Sequence, residues 1–328
     1  MAAQRSSDYA FFDMQPAHTD ELKALIAGLR QRQKGVSPKF FYDEKGSRLF
    51  DEITELEEYY LTRTEMALFD RYHDQIAEAL ASSVRDNCLV EYGSGSSAKV
   101  PKLLETLRPA AYVPVDISAE HLQSAARGLQ GAYPWLSVYP TCADFTQAFE
   151  LPNVVAGLDR TGFFPGSSIG NFEPNGAVEF LVNVTQTLGP NGRLLIGVDL
   201  KKDVGVLEAA YNDSRGVTAR FNLNLLVHLN RRYAGDFDVE NFAHRASYNE
   251  AKGCIQMFLE SRSEQTITLA GERFEFAVGE RIHTENSFKY APDEFAQLAS
   301  RAGFSVTFTW VDERRWFGVF LLEVAPAR

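Results

Sequence analysis

The chain has 328 residues, 45% hydrophobic and 23% charged, the balance of a globular protein with a sizeable core and room for more than one domain. Its formal net charge of -11 argues against nonspecific nucleic-acid binding, which needs a positive field against phosphate. No apolar signal core opens the chain, and no run approaches the roughly eighteen apolar residues of a spanning helix. The three cysteines lack a disulfide spacing and the six histidines a ligand spacing, so the expectation is a cytoplasmic protein with reduced thiols and no metal.

The first ten residues read as a loose tail. Residues 20–32 have helical periodicity, with Leu22, Leu25, Ile26 and Leu29 on one face. A loop rich in turn residues and aromatics follows, and Ser47 is expected to cap a short helix through SRLFDEIT. Thr62 and Glu65 fit a capping box opening a long helix to about Ser82. Strand–helix alternation begins at Cys88. CLVEY, AYVPVDI, LSVYP, TGFFPGSS and RLLIGVDL are the strand candidates, with Ser118 as a helix cap. A helix runs from Pro174 to Leu188 and ends at Gly189. Two further helices cover residues 202–211 and 216–232. Residues 244–287 read as an antiparallel meander, residues 292–302 as a helix, and the last two apolar runs as a hairpin.

The alternation predicts an α/β fold with a parallel sheet covered by helices on both faces. Residues 64–199 start the sheet and residues 289–328 finish it. Residues 15–63 and 200–288 are expected to form a second, smaller α+β lobe for substrate, with the ligand in the cleft between lobes.

Residues 91–99, EYGSGSSAK, follow a strand and open a helix. Gly93 and Gly95 let the backbone turn sharply and approach a ligand at the carboxyl edge of the sheet. Asp116 ends the next strand, placed to accept from a ribose diol. Asp144 can receive an adenine amino group, with Phe145 packed on the ring. Gly93, Gly95 and Ala98 also fit the dinucleotide fingerprint, so the turn by itself leaves a nicotinamide enzyme open. Three features favour S-adenosylmethionine. They are the helical region ahead of the turn, the Asp144–Phe145 pair, and a terminal hairpin that would insert an antiparallel last strand, as in the Rossmann-like sheet of class I methyltransferases.

Five further motifs are more specific: FYDEKGSRLFDEIT, YYLTRTE, SSIGNF, AYNDSRGVTARFNLN and TENSFKY. With them the chain, over roughly residues 36–325, resembles the ergothioneine-pathway L-histidine Nα-methyltransferases. The resemblance implies trimethylation of the histidine α-amino group to the betaine hercynine. It carries the cofactor contacts onto Gly93, Lys99, Asp116, Asp144 and Phe145. The substrate-backbone contacts fall on Tyr59, Asn171 and Tyr211, and the imidazole contacts on Glu285 and Ser287. Tyr42 lies near the substrate, and Met257 lines the side-chain end. Small departures are Leu61 for a frequent proline, Tyr92 for a common leucine, and Asn286 between the two imidazole contacts.

The residue types suit that chemistry. Asn171 and two tyrosine hydroxyls hold a carboxylate and aim an amine, and methyl transfer is an in-line displacement for which positioning is the main demand. No strong general base is evident; Tyr42 or Tyr59 is the candidate proton relay. Aromatic faces tolerate a quaternary ammonium. Glu285 accepts from one imidazole N–H while Ser287 serves the other nitrogen. The implied partner is a small amino acid bound by a monomer. Two competing readings are a methyltransferase for another amino acid, such as a tryptophan derivative, and a noncatalytic S-adenosylmethionine-binding protein.

Overall fold

A computed structural model describes residues 10–14, 18–80, 87–95 and 99–326. Nine residues of the expected N-terminal tail, Ala98 of the fingerprint, and Ser82 at the expected helix end lie outside the described residues.

A short strand β1 (Phe12–Asp13) precedes helix α1 (His18–Leu29). Leu25 and Leu29 are buried and Leu22 and Ile26 pack on the same core, the face that the spacing predicts. A 3₁₀ turn at Pro38–Phe41 leads into α2 (Glu44–Thr54). Its cap is Asp43 rather than Ser47: Asp43 Oδ1 accepts from the Gly46 N–H at 2.7 Å. A carboxylate at the N-cap satisfies an orphan N–H and meets the positive end of the helix dipole, so the helix starts earlier and Ser47 is buried inside it.

The expected long helix is two helices, α3 (Tyr60–Arg71) and α4 (His73–Leu80). The capping box at Thr62 does not form. Thr64 Oγ1 donates back to the Tyr60 carbonyl, and Glu65 is turned inward onto Lys99 and the Gly166 N–H.

The alternating region supplies β2 (Asn87–Tyr92), α5 (Pro101–Leu107), β3 (Ala111–Asp116), α6 (Ala119–Ala132), β4 (Ser137–Val138), β5 (Thr141–Cys142), β6 (Asp159–Phe164), α7 (Pro174–Leu188) and β7 (Arg193–Asp199). Ser118 occupies the cap position of α6, but its side chain makes no capping bond. Gly189 ends α7. Then come α8 (Val204–Tyr211), α9 (Val217–Tyr233), β8 (Phe242–Asn249), β9 (Cys254–Ser261), β10 (Gln265–Leu269), β11 (Glu272–Phe276), β12 (Arg281–Phe288), α10 (Pro292–Arg301), β13 (Phe304–Val311) and β14 (Phe317–Val324). No helix among the described residues is long and apolar enough to cross a membrane.

The large sheet runs β1-β5-β3-β2-β6-β7-β14-β13. Its pairs from β1 to β7 are parallel, while β14 lies antiparallel to both β7 and β13. The terminal hairpin therefore inserts its last strand beside β7, as expected. Strand order reverses at β2, with β3 on one side and β6 on the other, which opens a crevice at the carboxyl end of β2. The expected meander splits in two. β12, β9 and β8 form a three-stranded antiparallel sheet, and β10–β11 is a separate hairpin. That hairpin is anchored on the end of α9: Asp236 Oδ1 accepts from the Thr268 N–H at 2.6 Å, and the Ala270 N–H donates to the Tyr233 carbonyl.

Candidate active site

Two cavities meet at the crevice. The larger, 980 Å³, is lined by Gly93, Lys99, Asp116, Asp144 and Phe145 among others. Gly93 has φ +67, and a Cβ there would lie 3.4 Å from the Phe145 ring, so the ring covers the bare turn. Asp116 is pinned by two backbone donors, the Gly95 N–H to Oδ2 and the Ser118 N–H to Oδ1, each at 2.9 Å. Burial raises its carboxyl above the ordinary range, and those two donors oppose the rise. Ser94 Oγ is buried with no hydrogen-bond partner among the described residues. Asp144 Oδ1 accepts from Thr146, while Oδ2 lies 3.7 Å from Lys39 Nζ.

These groups fit S-adenosylmethionine. The glycine turn and the orphaned Ser94 hydroxyl suit its amino-acid end, Asp116 suits a diol, and Asp144 with Phe145 suits an adenine. Lys99 is held differently from a free ligand-binding cation. Its Nζ lies 2.6 Å from Glu65 Oε2, whose side chain is fully buried. Glu91 lines the same cavity; burial raises its carboxyl to about 8, although Tyr112 donates to it and the Lys99 charge opposes the rise.

The smaller cavity, 50 Å³, is lined by Tyr42, Tyr59, Asn171, Tyr211, Met257, Glu285 and Ser287. Tyr42, Phe50, Ser168 and Asn171 line both cavities and so form their junction. Chain topology explains the convergence. Asn171 ends a 3₁₀ turn, Ser168–Asn171, that packs on β12. Gly170 permits this approach, because a Cβ there would lie 2.7 Å from the Phe288 carbonyl. Tyr59 sits at the cap of α3 and Tyr211 at the end of α8, their ring centroids 6.3 Å apart. Tyr42 follows the 3₁₀ turn ahead of α2 and packs edge-on against Phe50 and Phe221. The aromatic rings around the junction offer π faces to a cation.

At the far end, Glu285 and Met257 are register partners across β12 and β9 and lie on one face of the sheet. Burial raises the Glu285 carboxyl to about 7, with the Lys289 ammonium opposing. Burial also raises the hydroxyls of Tyr42, Tyr59 and Tyr211 well above the usual phenol range, with Glu285 adding to each. All three are neutral phenols near pH 7, able to donate or relay a proton but not to act as tyrosinate bases.

Behind Ser287 lies a buried polar network. Tyr211 OH donates to Ser287 Oγ at 2.7 Å, and Lys289 Nζ donates to Ser287 Oγ at 2.7 Å and to Tyr211 OH at 3.1 Å. Lys289 also pairs with Asp199 at 2.7 Å, both side chains being fully buried. Asp199 further accepts from Tyr60 and Lys202. Burial pushes the Asp199 carboxyl up, but Lys289 and Lys202 more than offset this and hold it below its ordinary value.

Every expected site residue lines one cavity or the other: the five cofactor residues line the larger, Tyr59, Tyr211, Met257, Glu285 and Ser287 the smaller, and Tyr42 and Asn171 both. Sequence reasoning missed Phe50, Phe221, Glu65, Asp199 and Lys289. One signal was present: in TENSFKY, residues 285, 287 and 289 alternate on one strand face, so Lys289 follows from the period that gave the other two.

Residues 21–324 match the model of the S-adenosylmethionine-dependent, histidine-specific methyltransferase family. The chain is 40% identical to the histidine N-alpha-methyltransferase of Mycolicibacterium smegmatis over 90% of its own length and 92% of that protein. It is 37% identical to the enzyme of the same name from Mycobacterium tuberculosis, with the same coverage. Ergothioneine biosynthesis protein 1 of Schizosaccharomyces pombe is 29% identical over 81% of this chain and 36% of that longer protein.

Proposed function

The chain belongs to the histidine-specific, S-adenosylmethionine-dependent methyltransferase family, and from that membership we propose that it trimethylates the α-amino group of L-histidine to give hercynine, a step of ergothioneine biosynthesis. The observation that carries this reading is the pair of joined cavities. A carboxylate and a hydroxyl, Glu285 and Ser287, lie at one end, and the diol and adenine acceptors Asp116 and Asp144 lie in the other cavity.

On this reading the imidazole enters the small cavity against Glu285, Ser287 and Met257. Asn171, Tyr59 and Tyr211 hold the amino-acid backbone, so that the amine points through the junction. Bound S-adenosylmethionine supplies an electrophilic methyl on a sulfonium. Gly93, Asp116, Asp144 and Phe145 hold that cofactor, and Lys99 positions the wall of its cavity through Glu65. The substrate nitrogen must lose one proton before each of the three transfers. Tyr42 and Tyr59 relay these protons toward the larger cavity. In total, three S-adenosylmethionine give three S-adenosylhomocysteine and three protons per hercynine. Phe50 and the tyrosine faces accommodate the growing cation without a counter-charge.

The division into a cofactor lobe, residues 64–199 with 289–328, and a substrate lobe, residues 15–63 with 200–288, belongs to the same reading. So do a monomeric state, a cytoplasmic location and the absence of a nucleic-acid partner. Glu285 favours histidine over an apolar side chain, since such a ligand would leave the carboxylate unpaired. Mass analysis of products from S-adenosylmethionine and L-histidine tests the proposal. A gain of three methyls on histidine is expected, and no gain would overturn it.

A further inference from the structure

We propose that Lys289 is a positioning residue that makes Ser287 a hydrogen-bond donor, so that the site reads the histidine ring as a neutral imidazole in a single tautomer. The proposal rests on histidine being the substrate.

An ammonium has three N–H groups and no lone pair. Lys289 Nζ has three partners at 3.1 Å or less: Asp199 Oδ2, Ser287 Oγ and Tyr211 OH. All three therefore accept. Ser287 Oγ also accepts from Tyr211 OH at 2.7 Å. Its two lone pairs are then filled, and only its own proton is left to point into the cavity that Ser287 lines.

Beside it, Glu285 is buried, and no hydrogen bond to its carboxyl comes from any described residue. An ionised carboxylate only accepts. The two wall groups thus present one acceptor and one donor. A neutral imidazole answers this pattern in the tautomer that carries its proton on the nitrogen facing Glu285. An imidazolium, with two N–H groups, sets one of them against the Ser287 proton. The titratable groups lining the cavity are Glu285 from β12, Tyr211 from α8, Tyr59 from the cap of α3 and Tyr42 from the turn before α2; Lys289, just past β12, and Asp199 of β7 lie behind Ser287. Tyr211, its proton committed to Ser287, meets the amino acid through its ring and remaining lone pair, which leaves donation to the substrate carboxylate to Asn171 and Tyr59.

Lys289 is not a catalytic residue in this account, because Ser287 stands between it and the cavity. Replacing it by methionine empties one lone pair of Ser287, which then accepts from a ring N–H. Replacing it by glutamine keeps an N–H donor. Asp199 retains Tyr60 and Lys202 in either variant.

The test is nitrogen NMR of the full chain with S-adenosylhomocysteine and ring-¹⁵N L-histidine, recorded about one unit above the value of about 7 to which burial raises the Glu285 carboxyl, so that Glu285 is ionised. Wild type is expected to show one pyrrole-type and one pyridine-type nitrogen, well separated. Lys289→Met is expected to show a charged ring or a tautomer mixture, and Lys289→Gln the wild-type pattern. Two pyrrole-type nitrogens in wild type overturn the proposal. A fixed neutral ring in Lys289→Met removes Lys289 from it. Absence of any bound histidine signal overturns the histidine reading itself, and this proposal with it.

Discussion

Glu285 and Met257 face one another across the antiparallel pair β12–β9, a carboxylate and a thioether closing the same end of one cavity. The pairing combines a polar demand with a shape limit. Glu285→Ala removes the demand. A hydrogen bond to a charged group contributes about 1.5–3 kcal/mol, so kcat/KM for histidine is expected to fall about 10- to 100-fold. Selectivity over phenylalanine and tryptophan narrows at the same time. Steady-state kinetics with the three amino acids checks this, and unchanged kcat/KM for histidine would remove Glu285 from ring recognition.

Phe50 lies at the junction of the two cavities and packs on Tyr42 and Tyr59. A cation–π contact is worth about 0.5–2 kcal/mol, and it grows in importance as the amine becomes quaternary. Phe50→Leu is expected to slow the third transfer more than the first. Dimethylhistidine then accumulates in time courses followed by mass spectrometry, whereas an unchanged product ratio would assign Phe50 to packing alone.

Lys99 and Glu65 pair at 2.6 Å, the carboxylate fully buried and the lysine partly exposed at the cavity wall. Removing one partner of a buried pair costs about 3–5 kcal/mol, because the other charge is left uncompensated. Lys99→Met is therefore expected to lower Tm by several degrees, and adding Glu65→Leu to restore part of the loss. Thermal unfolding of the two variants gives the answer. An unchanged Tm together with a large loss of S-adenosylmethionine affinity would instead make Lys99 a direct ligand.

Glu91 supplies the pH test. Burial raises its folded carboxyl to about 8 from the ordinary value of 4.5. A raised carboxyl pKa means that folding favours the protonated form. The associated stability is full below about 4.5 and is lost as pH rises through about 8. Glu91→Gln mimics the protonated acid, so its Tm relative to wild type is expected to climb across that interval. A pH-independent difference would show that Glu91 is ionised throughout.

Much of this was legible in the sequence where the information is local. The turn at Gly93 and Gly95, the stop at Gly189 and the alternation of Glu285 with Ser287 each follow from a few neighbouring residues. The illegible parts depend on partners far along the chain. Ser47 looks like a cap until Asp43 is seen to hold both the Gly46 N–H and Asn224 of α9. Glu65 fits a capping box until β2 and β6 bring Lys99 and Gly166 beneath it. Asp199 ends an apolar strand with one counter-charge, Lys202, three residues on, but nothing nearby says that Lys289, far along the chain, will supply the second. A buried charge is recognisable only with its counter-charge, and those pairings are set by sheet order rather than by local pattern.

The most direct test of the whole account is a competition in one vessel. The chain is incubated with S-adenosylmethionine and an equimolar mixture of the twenty amino acids, and the products are resolved by mass. The account predicts a gain of three methyls on histidine and on no other amino acid. Methylation of tryptophan in preference to histidine, or no methylation of any amine, would contradict it.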